Sequence, residues 1–287
     1  MDNKFKIMTN EELRKMQLIQ LEMLLEVERI CKKCNIKYSI IAGTLLGAVR
    51  HKGYIPWDDD ADVAMLRSEY EKFCKACETE LDKNRFFLQT HSNTPDYRWG
   101  YGKIRRVGTE FVRKGQEHMK YQTGVFIDIF PLDNVPDNLF LRKTHNFFCT
   151  VIRKMLWSAV GAKCDKNAFM RSIYSIISII PRNFIFFLYD QLKKLSNKKN
   201  TEMVRILTFP TPNNGYYGYY KKWYNDLGEL EFEGYKFPSP KDYDGYLTFK
   251  FGNYNELPPI EQRQGHAFSY YKLIPIEEMT GNIEANN

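Results

Sequence analysis

Two periodicities divide the first half of this 287-residue chain. Leu13, Met16, Met23, Leu24, Val27, Ile30, Cys31 and Cys34 fall near one helical stripe, and Thr9 with Glu12 forms a capping box ahead of them. Tyr38–Ala42 reads as a short buried strand, and Leu45–Arg50 as a helical turn. His51–Trp57 is a loop punctuated by Gly53 and Pro56. Asp60–Leu66 alternates as a strand. Ser68 with Glu71 predicts a second capping box, and Tyr70, Phe73, Cys77 and Leu81 give that helix its apolar face. Short strands are predicted at Phe86–Gln89, Trp99–Arg105 and Gly124–Phe130. Pro131–Asn138 reads as a boundary, with Asp133 as a turn residue.

Beyond it, Leu139–Leu195 patterns as mostly helical, Pro210–Pro259 as loops with short elements, and Thr280–Asn287 as a polar tail. The order of elements predicts an α/β (α+β) protein. A small mixed-sheet core over residues 1–135 is flanked by helices, and residues 136–287 form a helical and loop-rich region. Ile173–Tyr189 is the most apolar stretch, but Pro181, Arg182 and Asn183 divide it well short of the roughly 20 residues of a membrane span. A buried helix pair is expected there, with a helix lying on a membrane as the alternative.

Composition excludes intrinsic disorder and collagen-like repetition: 43% of residues are hydrophobic and 27% charged. The net charge of +7 lacks the like-charge blocks of a nucleic-acid arm and points instead to anionic substrates such as phosphates. The first residues show no apolar run of an export signal, so the six cysteines are expected as cytosolic thiols. Cys31 with Cys34 and Cys74 with Cys77 have zinc half-site spacing, but each pair sits on a predicted helix stripe, where buried thiols are the expected state.

The run Trp57-Asp58-Asp59-Asp60-Ala61-Asp62 carries the chemistry. Four carboxylates in five positions repel one another and add nothing to a core. Strand alternation puts Asp60 and Asp62 on one face, with Asp58 in phase and Asp59 elsewhere. Paired hard carboxylates suit Mg²⁺. Asp128, between Ile127 and Ile129, needs a cation, a hydrogen bond or a raised pKa if buried. Lys103, Arg105 and Arg106 are candidate partners. Gly43 and Thr44 lie where a strand meets a helix start, a place that favours a phosphate. Arg50, His51, Lys52, Lys103 and Arg105 are candidate phosphate-facing cations, or else solvated surface charges.

The block Ala42-Gly-Thr-Leu-Leu-Gly-Ala-Val-Arg-His-Lys-Gly-Tyr-Ile-Pro-Trp-Asp-Asp-Asp-Ala-Asp62 resembles the signature of the LicD family. The resemblance continues in Tyr101–Arg105 with Thr109, in Phe126–Asp133, and in Asp242–Tyr254, Leu257–Pro259 and His266, so it spans about residues 10–270. It implies a nucleotidyltransferase fold and phosphocholine transfer from CDP-choline to a sugar hydroxyl of a bacterial cell-surface glycan: a teichoic acid, lipooligosaccharide or capsule precursor. It implies Gly43 and Thr44 at the donor phosphates and Asp60, Asp62 and Asp128 as ligands of Mg²⁺ or Mn²⁺. Asp58 matches a further acidic position of the signature, and Ala61 and Ala64 stand where larger apolar residues are usual. Trp57, Trp99, Tyr101, Tyr243 and Tyr246 are candidates for an aromatic cage around the quaternary ammonium. A related CDP-alditol donor (ribitol or glycerol phosphate), nucleotidyl transfer, or a nucleotide-binding scaffold without turnover are the alternatives; no nucleic-acid partner is expected. The expected setting is the cytoplasm, with peripheral contact at the inner membrane face where the acceptor is lipid-linked.

Overall fold

The computed structural model describes residues 8–212 and 214–275; the expected tail at Thr280–Asn287 lies outside them. In chain order the N-terminal part comprises α1 (Asn10–Cys34), β1 (Ser39–Ile40), α2 (Ala42–His51), β2 (Asp62–Leu66), α3 (Arg67–Glu80), β3 (Phe86–Gln89), β4 (Gly102–Arg106), β5 (Glu110–Arg113) and β6 (Phe126–Val135). Then follow α4 (Leu139–Cys164), α5 (Ala168–Ile177), α6 (Arg182–Ser196), β7 (Met203–Arg205), β8 (Tyr219–Tyr220), α7 (Lys222–Asn225), β9 (Leu227–Phe232), β10 (Tyr235–Pro240), α8 (Tyr243–Phe251) and β11 (Phe268–Lys272).

The main sheet is mixed, in the order β1-β2-β6-β4-β3, with β7 and β8 continuing from the far end of β6. β2 and β6 run parallel; their neighbours are antiparallel. This is the α+β architecture the pattern predicts. The Thr9–Glu12 capping box of α1 forms in full. The one expected at Ser68 does not. α3 begins directly after β2 at Arg67, without a side-chain cap.

Arg67 shows why. Its guanidinium forks onto Asp133 at 2.7 and 2.6 Å, and Asn197 donates to the same carboxylate at 2.6 Å. Asp133 is fully buried. It is therefore no turn residue. β6 runs straight through Pro131 to Val135, its first half paired with β4 and its last three residues with β7. Pro131 is tolerated because it lies beyond the stretch paired with β4, while β2 pairs beside it.

One core cluster joins α1, the sheet and the later elements: Met16, Val27, Val63, Ile127, Phe232, Phe237, Tyr246 and Leu247 all belong to it. A second, smaller cluster holds Ile152, Leu156, Ile185 and Tyr189 of α4 and α6. The hairpin β9–β10 is an element the loop-rich reading of Pro210–Pro259 misses. Its two-residue turn, Glu233-Gly234, has φ of 53° and 77°, the left-handed pair that tight hairpins require.

Asp133→Ala would leave the Arg67 guanidinium buried without a carboxylate. Loss of a buried pair in this way costs about 3–5 kcal/mol. Urea unfolding should show a loss in that range; a loss under about 1 kcal/mol would contradict this account of the α3–β6 junction.

Candidate active site

The site is built on the register of three strands. Asp62 on β2 pairs with Asp128 on β6, and Asp128 pairs with Lys103 on β4. Residues opposite one another in a ladder share a face, so two carboxylates and one lysine form a row across the sheet. Lys103 Nζ donates to Asp128 Oδ1, and both side chains are buried. The ammonium also lies 3.4 Å from the centroid of the Phe126 ring. Burial pushes the Lys103 ammonium down, and Asp128 pulls the other way.

The strand begins later than alternation predicts, so Asp58, Asp59 and Asp60 sit on the loop before β2. Two buried glutamines of α1 hold that loop. Gln17 Nε2 donates to Asp58 O at 3.0 Å, and Gln20 Nε2 to Asp59 O at 2.8 Å. On the other side, Glu233 at the hairpin tip accepts from Arg14 and from Tyr54 N. A Cβ on Gly53 would lie 2.4 Å from the Glu233 carboxylate, so only glycine admits that contact.

α2 approaches the same loop from the sheet side. Thr44 Oγ1 accepts from Asp62 N at 2.8 Å. Its hydroxyl thus fixes the first residue of β2 and keeps its own proton to donate. A Cβ on Gly43 would meet Asp58 Oδ2 at 2.6 Å. Ala42 just before it holds φ at 52°, a left-handed conformation for a non-glycine residue at the helix start.

The carboxylates press on one another. Burial, then the nearby Asp60 and Asp59, push the Asp58 carboxyl well above the usual range. Burial, then Asp60, Asp128 and Asp58, do the same to Asp62. Burial works against Asp60 too, but Arg113, His266 and a hydrogen bond with Asp58 hold it below the ordinary carboxylate value. Arg113 NH2 lies 3.3 Å from Asp60 Oδ2.

Arg113 and His266 were not singled out by residue chemistry, the latter entering only with the resemblance. Pairing of β11 with β5, Phe268 opposite Arg113, brings them together. Asp59 is not set apart from Asp60 as strand alternation predicts, because both precede β2: Asp59 Oδ1 takes His266 Nδ1 at 2.7 Å and its Oδ2 takes His266 N at 2.9 Å. A Cβ on Gly265 would lie 2.9 Å from the Asp59 carboxyl carbon. Asp59, Asp60 and His266 each offer a ligand atom within 4.8 Å of the others.

Other expected site residues are placed differently. Arg105 is buried and donates to Gln89 Oε1 and Gly124 O, both at 2.6 Å. It serves the sheet edge, not a shared phosphate with Lys103. Arg50 is half-buried and donates to Tyr254 O at 2.9 Å. Lys52 is exposed and closes α2 in a left-handed conformation. Tyr246 is a core residue, not a cage wall: it is buried, and its hydroxyl accepts from Ala42 N at 3.4 Å. The Trp57 ring already carries the Arg263 guanidinium at 5.3 Å. Tyr243 packs on the main core, while Trp99 and Tyr101 line a cavity beside the acidic cleft. The five aromatics therefore do not assemble into one cage. The cysteine pairs lie on α1 and α3, and burial pushes the Cys31 and Cys77 thiols up; among the described residues no cysteine joins a metal-binding group.

The donor set at the cleft, the Asp59 and Asp60 carboxylates and the His266 imidazole with their ligand atoms close together and Asp58 and Asp62 beside Asp60, fits a divalent cation. An acidic row on a mixed sheet, with a Gly-Thr helix start beside it, defines a nucleotidyltransferase-type site. Residues 35–150 match the LicD/FKTN/FKRP nucleotidyltransferase domain. The chain is 29% identical over 272 residues to the lipopolysaccharide cholinephosphotransferase LicD of Haemophilus influenzae, covering 88% of this chain and 95% of that protein. It is also 28% identical over 119 residues to an uncharacterized protein of Rickettsia prowazekii, covering 42% of this chain and 41% of that one. Residues 35–150 thus match a nucleotidyltransferase domain of the LicD/FKTN/FKRP kind, and the chain is similar along most of its length to a transferase.

Two substitutions test the architecture. Thr44→Val should strand the Asp62 N–H and cost about 1–3 kcal/mol in unfolding free energy. Gly43→Ala should push the Asp58 carboxylate aside and lower turnover at least about tenfold, with little change in melting temperature. Wild-type turnover in Gly43→Ala would contradict the role given to that close approach.

Proposed function

We propose that this protein transfers phosphocholine from CDP-choline to a sugar hydroxyl of a cell-surface glycan, releasing CMP. The observation that carries the reading is the crowding of Asp58 and Asp60 on their loop against Asp62 and Asp128 on the sheet, beside Gly43 and Thr44, in a chain similar along most of its length to a lipopolysaccharide cholinephosphotransferase. In the reaction the acceptor oxygen bonds to the phosphorus that bears choline. The bond from that phosphorus to the bridging oxygen breaks, and its electrons leave with CMP.

Asp60 and Asp62, with Asp128 behind them, would hold Mg²⁺ or Mn²⁺. When bound, the ion neutralises the diphosphate and the charge building on the leaving oxygen. Gly43 and Thr44 offer first-turn N–H groups to the donor phosphates. Asp58 orders the loop through Asp60. Lys103 and Arg113 set positive charge against the transferred phosphoryl group. Asp128 Oδ1 is already taken by the Lys103 ammonium. His266 suits the task of base better: with Nδ1–H given to Asp59, its Nε2 has no partner among the described residues, and the side chain is 51% exposed. Transfer of ribitol or glycerol phosphate, or of a nucleotidyl group, would use the same acidic row, so the donor must be read directly. Nothing in the basic residues supports a nucleic-acid partner, and a catalytically idle scaffold would keep the carboxylate repulsion without use.

The acceptor, in this reading, is lipid-linked and met at the cytoplasmic face of a membrane. Among the described residues no single helix is long and apolar enough to cross a membrane, and α5 and α6 meet at an 86° bend. The pair is not simply buried: Phe169 and Ile176 of α5 are 72% and 70% exposed, Ile179 between the helices 79%, and Phe140 of the neighbouring α4 76%. Residues 138–200 hold twelve Lys or Arg against two Asp or Glu, whereas the remainder of the chain is net negative. Apolar rings among cations suit an anionic lipid surface.

Two experiments check these statements. CMP release should be measured with CDP-choline, CDP-ribitol and CDP-glycerol, with and without Mg²⁺. CDP-choline should turn over only with the ion, and Asp60→Ala or Asp62→Ala should fall to background with circular dichroism unchanged. Preference for another CDP donor would overturn the phosphocholine assignment, and near-normal turnover in either variant the metal assignment. In co-sedimentation, the protein should bind phosphatidylglycerol-containing vesicles and not pure phosphatidylcholine, and Phe140→Ser with Ile179→Ser should weaken binding at least about tenfold. Equal recovery with both vesicle types would sink the membrane reading.

A further inference from the structure

Beside the acidic cleft lies a cavity of about 490 Å³ between the β-sheet core and α4. Arg113 and His266 belong to both: they contact Asp60 and Asp59 on one side and line the cavity on the other. Its remaining walls come from the loop before β4, from α4 and α5, and from the segment after β7.

The lining has one sign of charge. Five of its residues are Lys or Arg, and none is Asp or Glu. Arg98 is pinned in place, donating to the carbonyls of Leu156 and Met155 at the base of the wall. Arg153 and Lys154 have no acidic partner among the described residues. Two buried polar atoms on the lining also lack partners: Arg113 Nε and Thr208 Oγ1. Thr208 is only 6% exposed, so its orphaned hydroxyl carries a desolvation cost that a ligand would relieve. Trp99, Tyr101 and Trp157 add aromatic faces.

We propose that this cavity is the acceptor site and that it selects a sugar unit bearing an anionic group. The inference rests on the transfer reading for the word acceptor, but its ligand chemistry comes from the lining alone. Sugar rings pack flat on aromatic faces, a phosphate or carboxylate meets Arg153 and Lys154, and a sugar hydroxyl supplies Thr208 with its missing partner. The same lining excludes the choline head group, since a quaternary ammonium would face five cations and no carboxylate. The acceptor hydroxyl then reaches the transferred phosphoryl group past His266 and Arg113, at the seam between cavity and cleft.

The test is a tryptophan-fluorescence titration of the full chain, because two of its four tryptophans line the cavity. The probes are N-acetylglucosamine 6-phosphate, glucuronate, neutral N-acetylglucosamine and choline. The phosphorylated sugar, the carboxylated sugar or both should bind at least about tenfold more tightly than the neutral one, and the stronger of the two identifies the anion. Choline should give no saturable signal. Arg153→Glu and Lys154→Glu should each weaken the anionic sugar about tenfold or more, with acceptor-independent release of CMP from the CDP donor unchanged. Thr208→Val should weaken every sugar to a similar extent. Saturable choline binding, equal binding of neutral and anionic sugars, or indifference to both charge reversals would overturn the inference. Should the wild type release no CMP from any CDP donor yet still bind the anionic sugar, the transfer reading fails while the cavity keeps its ligand.

Discussion

Asp62, Asp128 and Lys103 stand in one row across three strands, and the structure is organised around the cost of keeping them there. The Asp128 carboxylate and the Lys103 ammonium, under so little solvent, would each be expensive alone. Lys103 neutralises Asp128 and rests on the Phe126 ring. Asp62 makes no such ion pair among the described residues. Burial, then Asp60, Asp128 and Asp58, suppress its acidity, and a coulombic attraction from Lys250 opposes them. A fold that tolerates this must fix the surrounding backbone by other means. The Thr44 hydroxyl on Asp62 N and the glutamines of α1 on Asp58 and Asp59 do that. In the proposed reading, a divalent cation bound among the carboxylates would relieve that repulsion.

The later part of the chain is not an appendage to this core. Glu233 at the hairpin tip grips the loop that leads into the acidic run. Tyr246 of α8 meets the start of α2. Gly265 and His266 close over Asp59. Each contact spans about two hundred residues of sequence, so the geometry of the acidic loop depends on both halves having folded. The helices α4 and α6, by contrast, keep a small core of their own. That separation leaves them free to carry exposed rings and positive charge without disturbing the cleft.

Much of this was legible in the sequence, for physical reasons. Periodicity found α1 and the strands around the acidic run, because burial on one face imposes a pattern that needs no knowledge of partners. The density of carboxylates in the acidic run and the lone Asp128 between isoleucines pointed to Asp60, Asp62 and Asp128, the order of elements pointed to an α+β fold, and the family resemblance added roles. What stayed hidden was long-range. Asp133 looks like a turn residue because nothing near it announces Arg67 and Asn197. Arg105 looks like a phosphate ligand because its neighbours in sequence do not reveal Gln89 and Gly124 as its partners. Tyr246 resembles a cage wall until the fold buries it. Arg113 and the Asp59–His266 contact exist only once β11 pairs with β5. The hairpin had a local signal, the alternation of Leu227–Phe232 and the Glu-Gly turn after it, which the surrounding glycines, prolines and tyrosines obscured.

The central claim is that the carboxylates at the cleft repel one another when no cation is bound and that the fold holds them for one. Thermal unfolding of Asp62→Asn against wild type, in chelator and in excess Mg²⁺, tests it most directly. Removing one of the crowded carboxylates while keeping the shape should raise the melting temperature in chelator, and it should abolish the further rise that Mg²⁺ gives the wild type. A variant less stable than wild type in chelator, or one that gains as much from Mg²⁺, would contradict the account.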